Sequence, residues 1–245
     1  INARCQIEKS YLTVCIFNAS LNEVGRGFLC KGFGGTDMLI DMHIHESTCS
    51  ADSQMTLEEI VATAKERGLD AICITDHDSM GLKERAEAYS REVGFPIFVG
   101  VEYYSLWGDI TAFGIDGFPQ ERIPAQDFID QVNEAGGFCV ACHPFRNNKR
   151  GLEEHLKDVH GLHGIEVLNG STDMESNRKA LEYCRKLNLQ TVGASDAHWT
   201  SQLGKYVTMV PGNPKTLEEF VQALHKGGLK PAILEENGYR IVDSF

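Results

Sequence analysis

The sequence predicts an α/β protein: one domain of alternating strands and helices, wound into a compact, closed or nearly closed barrel. Three observations lead there. Apolar runs of strand length recur along the chain, and five of them end in clusters of His, Asp and Glu: Asp41-Met42-His43-Ile44-His45, Thr75-Asp76-His77-Asp78, Gly100-Val101-Glu102, Cys142-His143-Pro144-Phe145-Arg146 and Ser195-Asp196-Ala197-His198. Stretches with helical starts and stops separate these runs, and a β–α alternation implies a parallel sheet. About seven or eight such units fit into roughly 200 residues, the proportions of a barrel.

The elements follow in order. Residues 39–43 are a first strand. Thr56-Leu57-Glu58-Glu59 is a capping box, opening a helix that runs to Arg67 and stops at Gly68. Residues 70–75 are the second strand. A charged helix over 82–93 is stopped by Gly94 and Pro96. Residues 97–103 and 109–115 read as a third and fourth strand. Pro124 opens a helix that Gly136-Gly137 ends. A strand at 138–142, a helical stretch at 152–159 and a strand at 164–168 come next. An amphipathic helix over 173–187 precedes strands at 190–194 and 206–210. The last helix, 216–226, leads into a short strand at 229–234. No linker, low-complexity tract or repeat marks a second domain.

The domain is expected to span residues 38–245. Residues 1–37 contain no His and no sustained period, so they are read as an extension outside it. Gly34-Gly35-Thr36-Asp37-Met38 could be encoded by a ribosome-binding site and a start codon, which makes mistaken read-through of upstream sequence the favoured account. The alternative is a genuine N-terminal strand and loop. The apolar stretch 11–17 is short and lacks a following cleavage site, so export is not expected.

Bulk properties narrow the function. The chain has 245 residues, 42% of them hydrophobic, and a net charge of −12. Such an acidic surface repels polyanions and argues against nonspecific nucleic-acid binding. It does not exclude a small phosphorylated substrate, since bound divalent metals reverse the local sign. Eight cysteines in a chain this long do not make a disulfide scaffold. Cys73, Cys139 and Cys184 lie in apolar runs and read as buried hydrophobes in a reducing, cytoplasmic setting. No run is long enough to span a membrane.

The clusters carry the chemistry. Asp41, His43 and His45 alternate, and strand residues two apart share a face, so all three are expected to point into one cavity. Two imidazoles on one face form a clamp for a transition metal. Asp196 and His198 repeat the spacing, Glu102 could bridge two metals, and His77 and His143 follow apolar strands directly. A lone His is more often structural, but five of the nine histidines sit at strand ends. The other four, His155, His160, His163 and His225, lie in polar stretches and are read as surface residues. Cys139-Val140-Ala141-Cys142-His143 matches a haem-attachment pattern by chance, because its two cysteines would face opposite sides of a strand.

In order, the H-x-H of His43/His45, T-D-H of Thr75–His77, G-V-E of Gly100–Glu102, H-P-F-R of His143–Arg146 and S-D-A-H of Ser195–His198 resemble the motifs of the PHP (polymerase and histidinol phosphatase) metal-dependent phosphoesterases. The resemblance covers residues 38–210. It implies a distorted (β/α)7, TIM-like barrel with two or three divalent ions of Mn, Fe or Zn. Carried over by motif, His43, His45, Glu102 and Asp196 would hold one metal. Glu102 would bridge to a second, also bound by His143, and Asp52, His77 and His198 would form a third group. Many family members carry another His on the strand after G-V-E. Here Asp109 is expected to substitute as a ligand, or Thr111 to take the place without binding.

The expected reaction is phosphoester hydrolysis, on a small phosphorylated metabolite or a nucleotide. Arg146 could grip a phosphate or be a surface residue. Asp76 is expected to orient a ligand His or assist proton transfer. Tyr103, Tyr104 and Trp107 are read as core packing rather than a stacking platform, and Asn169 and Arg178 as weaker substrate contacts. An amidohydrolase-like enzyme is the alternative, but that class often bridges its metals through a modified Lys, and none occurs between Lys83 and Lys149. A non-catalytic, metal-binding regulatory domain is the third reading.

Overall fold

The structure, a computed structural model, describes residues 37–243; the expectation for residues 1–36 lies outside them. β1 (Met38–Ile44) is buried at every position. α1 (Leu57–Glu66) starts on the expected capping box, in which Thr56 accepts from the Glu59 N–H and the Glu59 carboxylate accepts from the Thr56 N–H. β2 (Ala71–Ile74) and α2 (Lys83–Val93) follow, and α2 ends at a left-handed Gly94. Then come β3 (Ile97–Val99), β4 (Val101–Tyr104), β5 (Asp109–Phe113), α3 (Ala125–Glu134) and β6 (Phe138–Ala141). A short 3-10 helix, Glu153–Lys157, stands where a longer helix was expected. The rest is β7 (Gly164–Asn169), α4 (Met174–Leu187), β8 (Gln190–Ala194), β9 (Tyr206–Val210), α5 (Leu217–Lys226), β10 (Lys230–Glu235) and β11 (Gly238–Ile241). The last strand was not anticipated; it pairs antiparallel with β10 through a two-residue turn.

Of the expected closed or nearly closed barrel, the α/β alternation is present, but the all-parallel pairing is corrected. The strands form two sheets, ordered β11-β10-β9-β1-β2-β3 and β4-β5-β6-β7-β8, with no continuous ladder around them. Pairing is also mixed. β1–β2, β2–β3, β6–β7 and β7–β8 are parallel, whereas β4–β5, β5–β6, β1–β9 and β9–β10 are antiparallel. Connection length explains part of this: residues 105–108 suffice for a hairpin but not a crossover helix.

The single strand expected over 97–103 breaks at Gly100. A side chain there would run into the Ala112 carbonyl and lie 2.6 Å from the Phe113 ring. Only glycine lets the chain pass this close, and here it leaves the six-stranded sheet for the five-stranded one.

A core built from both sheets holds them together. Phe98 stacks on Phe220 with ring centroids 4.4 Å apart, and Phe113 meets the same ring edge-on at 5.6 Å. Met38, Ile40, Met42, Phe138 and Val192 complete this layer. Each fully buried side chain of this size contributes about 1.5–3 kcal/mol. At the end where the histidine clusters emerge, two isolated bridges, Ile44 with Ala197 and His77 with Glu102, link the sheets. Among the described residues no helix is long and apolar enough to cross a membrane.

Candidate metal centre

The ends of β1, β2, β4, β6 and β8 deliver all five clusters to one place. His43 and His45 bring their Nε2 atoms within 3.1 Å of each other. Asp196 Oδ1 lies 3.2 Å from His45 Nε2 and 3.7 Å from His43 Nε2, and Glu102 Oε2 lies 3.5 Å from both. His143 Nε2 sits 2.8 Å from Glu102 Oε1, 3.9 Å from Asp196 Oδ2 and 4.0 Å from Asp109 Oδ2. At the mouth, Asp52 Oδ2 is 3.2 Å from His77 Nε2 and 3.4 Å from His198 Nε2. His43, His45, Glu102, Asp109, His143 and Asp196 are buried, whereas the Asp52 side chain is 58% exposed, so access is from the Asp52 side.

The backbone is bent to make this arrangement. His143 and Asp196 have φ of +33° and +52°, a left-handed region that non-glycine residues seldom occupy. Such local strain is characteristic of sites whose surroundings over-determine them.

Hydrogen bonds fix the imidazoles from behind. His43 Nδ1 lies 2.8 Å from Glu166 Oε1, so its Nδ1–H donates outward and Nε2 faces the cavity. His45 Nδ1 lies 3.2 Å from Ser50 Oγ, and the Ser50 hydroxyl donates to Asp76 Oδ1 at 2.8 Å. Asp76 therefore orients His45 through Ser50. Burial pushes the Asp76 carboxyl up to about 6, and burial lowers His45 to about 4, leaving His45 neutral near pH 7 with a bare Nε2. Burial opposes charge on His43 too, but the carboxylates of Glu166, Asp196 and Glu102 outweigh it and hold its pKa well above the usual value.

The donor set suits a metal. Glu102 Oε2 is buried with His77 Nδ1 2.5 Å away and the Nε2 atoms of His43 and His45 at 3.5 Å, yet none of these ring nitrogens makes a well-aligned hydrogen bond to it. His77 Nδ1 is likewise a buried atom with no hydrogen-bond partner. An anionic oxygen left this way is costly. A cation among these atoms satisfies all of them, and nitrogens bonded to one ion at ~2.0–2.1 Å stand ~3 Å apart, as His43 and His45 do.

Several expectations are corrected. Asp41 does not share the cavity with His43 and His45. It accepts from the Ser195 and Gly204 N–H groups at 3.0 and 2.7 Å and so ties β1 to the segment after β8. Asp109 does reach the cluster, but a bidentate pair with Arg150 at 2.6 and 2.8 Å holds it. Burial and the neighbouring Glu102 push the Asp109 carboxyl up to about 6. Arg146 is not a free surface residue: its guanidinium bonds Asp196, Asn169 Oδ1 at 2.9 Å and Thr172 Oγ1 at 3.2 Å. Asn169 donates to Glu166 and belongs to the site. Arg178 lies outside the buried cluster; it is exposed on α4, lining an open groove of about 810 Å³ that Arg146 also borders. His163 is half-buried, stacked on Phe138 at 4.7 Å and accepting from the Cys139 N–H. Tyr103 is core, whereas Tyr104 lies between the Arg122 and Arg150 guanidiniums. Cys139 faces His163 and Cys142 faces Glu102, opposite sides of the strand as expected.

Sequence reading missed Glu166. It is 1% exposed, bonds His43 and accepts from the His143 N–H at 3.0 Å. Its signal was a lone acid inside the apolar run Gly-Ile-Glu-Val-Leu.

Comparison with known proteins bears on the family and the fold. An uncharacterized protein of Methanocaldococcus jannaschii is 25% identical over 141 residues, 54% of this chain and 82% of that one. A 5'-3' exoribonuclease of Haemophilus influenzae is 30% identical over 67 residues, covering 27% of this chain and 24% of the relative. Among solved structures, a proposed metal-dependent phosphoesterase of Bifidobacterium adolescentis superposes with a TM-score of 0.58 at 19% identity, over 75% of this chain and 96% of that one. At that identity the likeness concerns the fold. Residues 41–135 match the family model of the PHP domain, and residues 174–229 match the model described as PHP-associated. These two stretches carry four of the five clusters that meet in the cavity, and this chain belongs to the PHP family.

Proposed function

We propose that this chain is a metal-dependent phosphoesterase acting on a small phosphorylated metabolite or a nucleotide. The observation that carries the reading is Glu102 Oε2, a buried anionic oxygen with His77 Nδ1 2.5 Å away and the Nε2 atoms of His43 and His45 at 3.5 Å, none of them in a well-aligned hydrogen bond to it. His43, His45, Glu102 and Asp196 would hold one divalent ion, Glu102 and His143 would contribute to a second, and Asp52, His77 and His198 to a third at the mouth. Mn, Fe and Zn all suit mixed nitrogen and oxygen donors. Bound there, such ions supply a nucleophilic water near neutral pH and offset charge on phosphoryl oxygens.

The protein's own residues do the rest. Glu166 and the Asp76–Ser50 pair hold His43 and His45 in the tautomer that turns Nε2 inward. Arg146 stands beside Asp196 with Asn169 and Thr172 as its other partners, a planar donor positioned to hold phosphoryl oxygens. The groove bordered by Arg146 and Arg178 gives the remainder of the substrate a place on α4. A small substrate is favoured because a chain of net charge −12 repels extended polyanions. The described cysteines are all free, consistent with a cytoplasmic setting.

The test is a phosphate-release screen over nucleotides and sugar phosphates, with amides in parallel, using protein loaded with Mn, Fe or Zn. His43→Ala and Asp196→Ala should lose turnover and bound metal, and His225→Ala should keep both. Silence on every phosphoester refutes the proposal, and amide cleavage alone would favour the amidohydrolase-like alternative.

A further inference from the structure

Asp109 has a cation already. Arg150 grips it through Nε at 2.6 Å and Nη2 at 2.8 Å, while the Asp109 N–H donates to the Arg150 carbonyl at 2.6 Å. Side chain and main chain are thus tied at the same residue. The contact is built into the fold. A side chain at Gly108 would lie 2.5 Å from the Gly151 carbonyl carbon and 2.6 Å from Leu152 N, and one at Gly151 would strike the Pro144 carbonyl. These two glycines let the segment after His143 lie flat against the start of β5. Tyr104 then supports the Arg150 guanidinium, 4.4 Å from its ring centroid, and Arg122 stacks on the same ring at 3.8 Å. Asp109 is fully buried, while the Arg150 side chain keeps 34% exposure, so the arginine is the partner with somewhere to go.

Glu102, Asp109 and His143 have donor atoms close enough to hold a metal ion together. We propose that the Arg150 guanidinium is the resident counter-cation of this inner trio, so that Asp109 becomes a metal ligand only when Arg150 releases it. The inference rests on the metal-centre reading above. Two positive charges competing for one buried carboxylate weaken each other's hold on it. With Arg150 in place, the inner site draws on Glu102 and His143 without Asp109 and is the weakest of the centre.

Metal-stripped full-length protein titrated with Mn²⁺, followed by calorimetry and by elemental analysis after gel filtration, tests this. Arg150→Met should take up one more ion per chain than the parent, or bind its weakest ion at least tenfold more tightly. Arg150→Lys, which keeps the charge, should match the parent. Asp109→Asn should also match the parent in ion count, because Asp109 is not yet a ligand. That variant keeps the test decisive if Arg150→Met does not fold. Parent-like binding by a folded Arg150→Met, or loss of an ion in Asp109→Asn, overturns the inference alone. A parent protein that binds no Mn²⁺ overturns it together with the metal-centre reading.

Discussion

Replacing Glu166 with Gln tests whether the centre is organised from behind. The side chain is isosteric, so packing is retained, but the carboxylate serves three donors at once: His43 Nδ1–H at 2.8 Å, the His143 N–H at 3.0 Å and Asn169 Nδ2 at 2.9 Å. A glutamine can keep its carbonyl on His43. Its amide group then faces the His143 N–H and the Asn169 amide, donor against donor. Hydrogen bonds to a charged acceptor contribute about 1.5–3 kcal/mol each, so the gross loss is roughly 3–6 kcal/mol before relaxation. Relaxation is restricted because the Asn169 oxygen already accepts from Arg146 and Thr172. Loss of an outer partner of a metal-binding histidine typically weakens metal binding ~10–100-fold, or about 1.4–2.7 kcal/mol. Glu166→Gln should therefore bind Mn²⁺ or Zn²⁺ within that range of weakening in a chelator-competition titration, and its metal-free form should unfold at lower urea. A folded variant with undiminished metal affinity would show that Glu166 does not organise His43 and His143.

Two further outcomes are expected. Arg146→Met should raise KM for a phosphoester more than it lowers kcat, by roughly 10–100-fold for one charge-assisted contact; steady-state kinetics read this directly, and an unchanged KM removes Arg146 from substrate binding. Away from the centre, burial and the nearby His225 lower His163 to about 4. Its folded pKa lies below the unfolded value, so its contribution is complete above pH ~6.5 and is lost as pH falls toward 4, reduced by the ring's partial exposure. Urea midpoints at pH 7.5 and 5.0 should therefore fall further for the parent than for His163→Gln, and equal falls would contradict the assignment.

The strand-end clusters were legible because period-two spacing and abrupt changes from apolar to polar are local signals. His43, His45, Glu102, His143 and Asp196 meet as their positions suggested. What sequence reading lost depended on partners distant in the chain. Asp41 has the same spacing as His43, but backbone donors more than 150 residues away decide which way its carboxylate turns. Glu166 was hidden because a single acid in a buried strand is ambiguous until its partners, 123 residues off at His43 and 23 at His143, are seen. The split at Gly100 escaped for a similar reason, since its immediate neighbours Phe98, Val99 and Val101 are all apolar. The parallel expectation failed at β4–β5, where four residues leave no room for a crossover, and also at β5–β6, where α3 intervenes and connection length gives no account.

The seam between the two sheets gives the centre a mechanical role. His43, His45 and His77 emerge from one sheet and Glu102, His143 and Asp196 from the other; among the described residues two lone bridges and the Asp41–Ser195 hydrogen bond, rather than a continuous ladder, join the strands at that rim. Any ion seated among them acts as a rivet across the gap, and its binding free energy adds to the docking of the halves, by about 2.7 kcal/mol at a hundredfold excess over Kd. Chelation should accordingly speed amide hydrogen exchange first along that rim, while the phenylalanine layer around Phe220 stays protected.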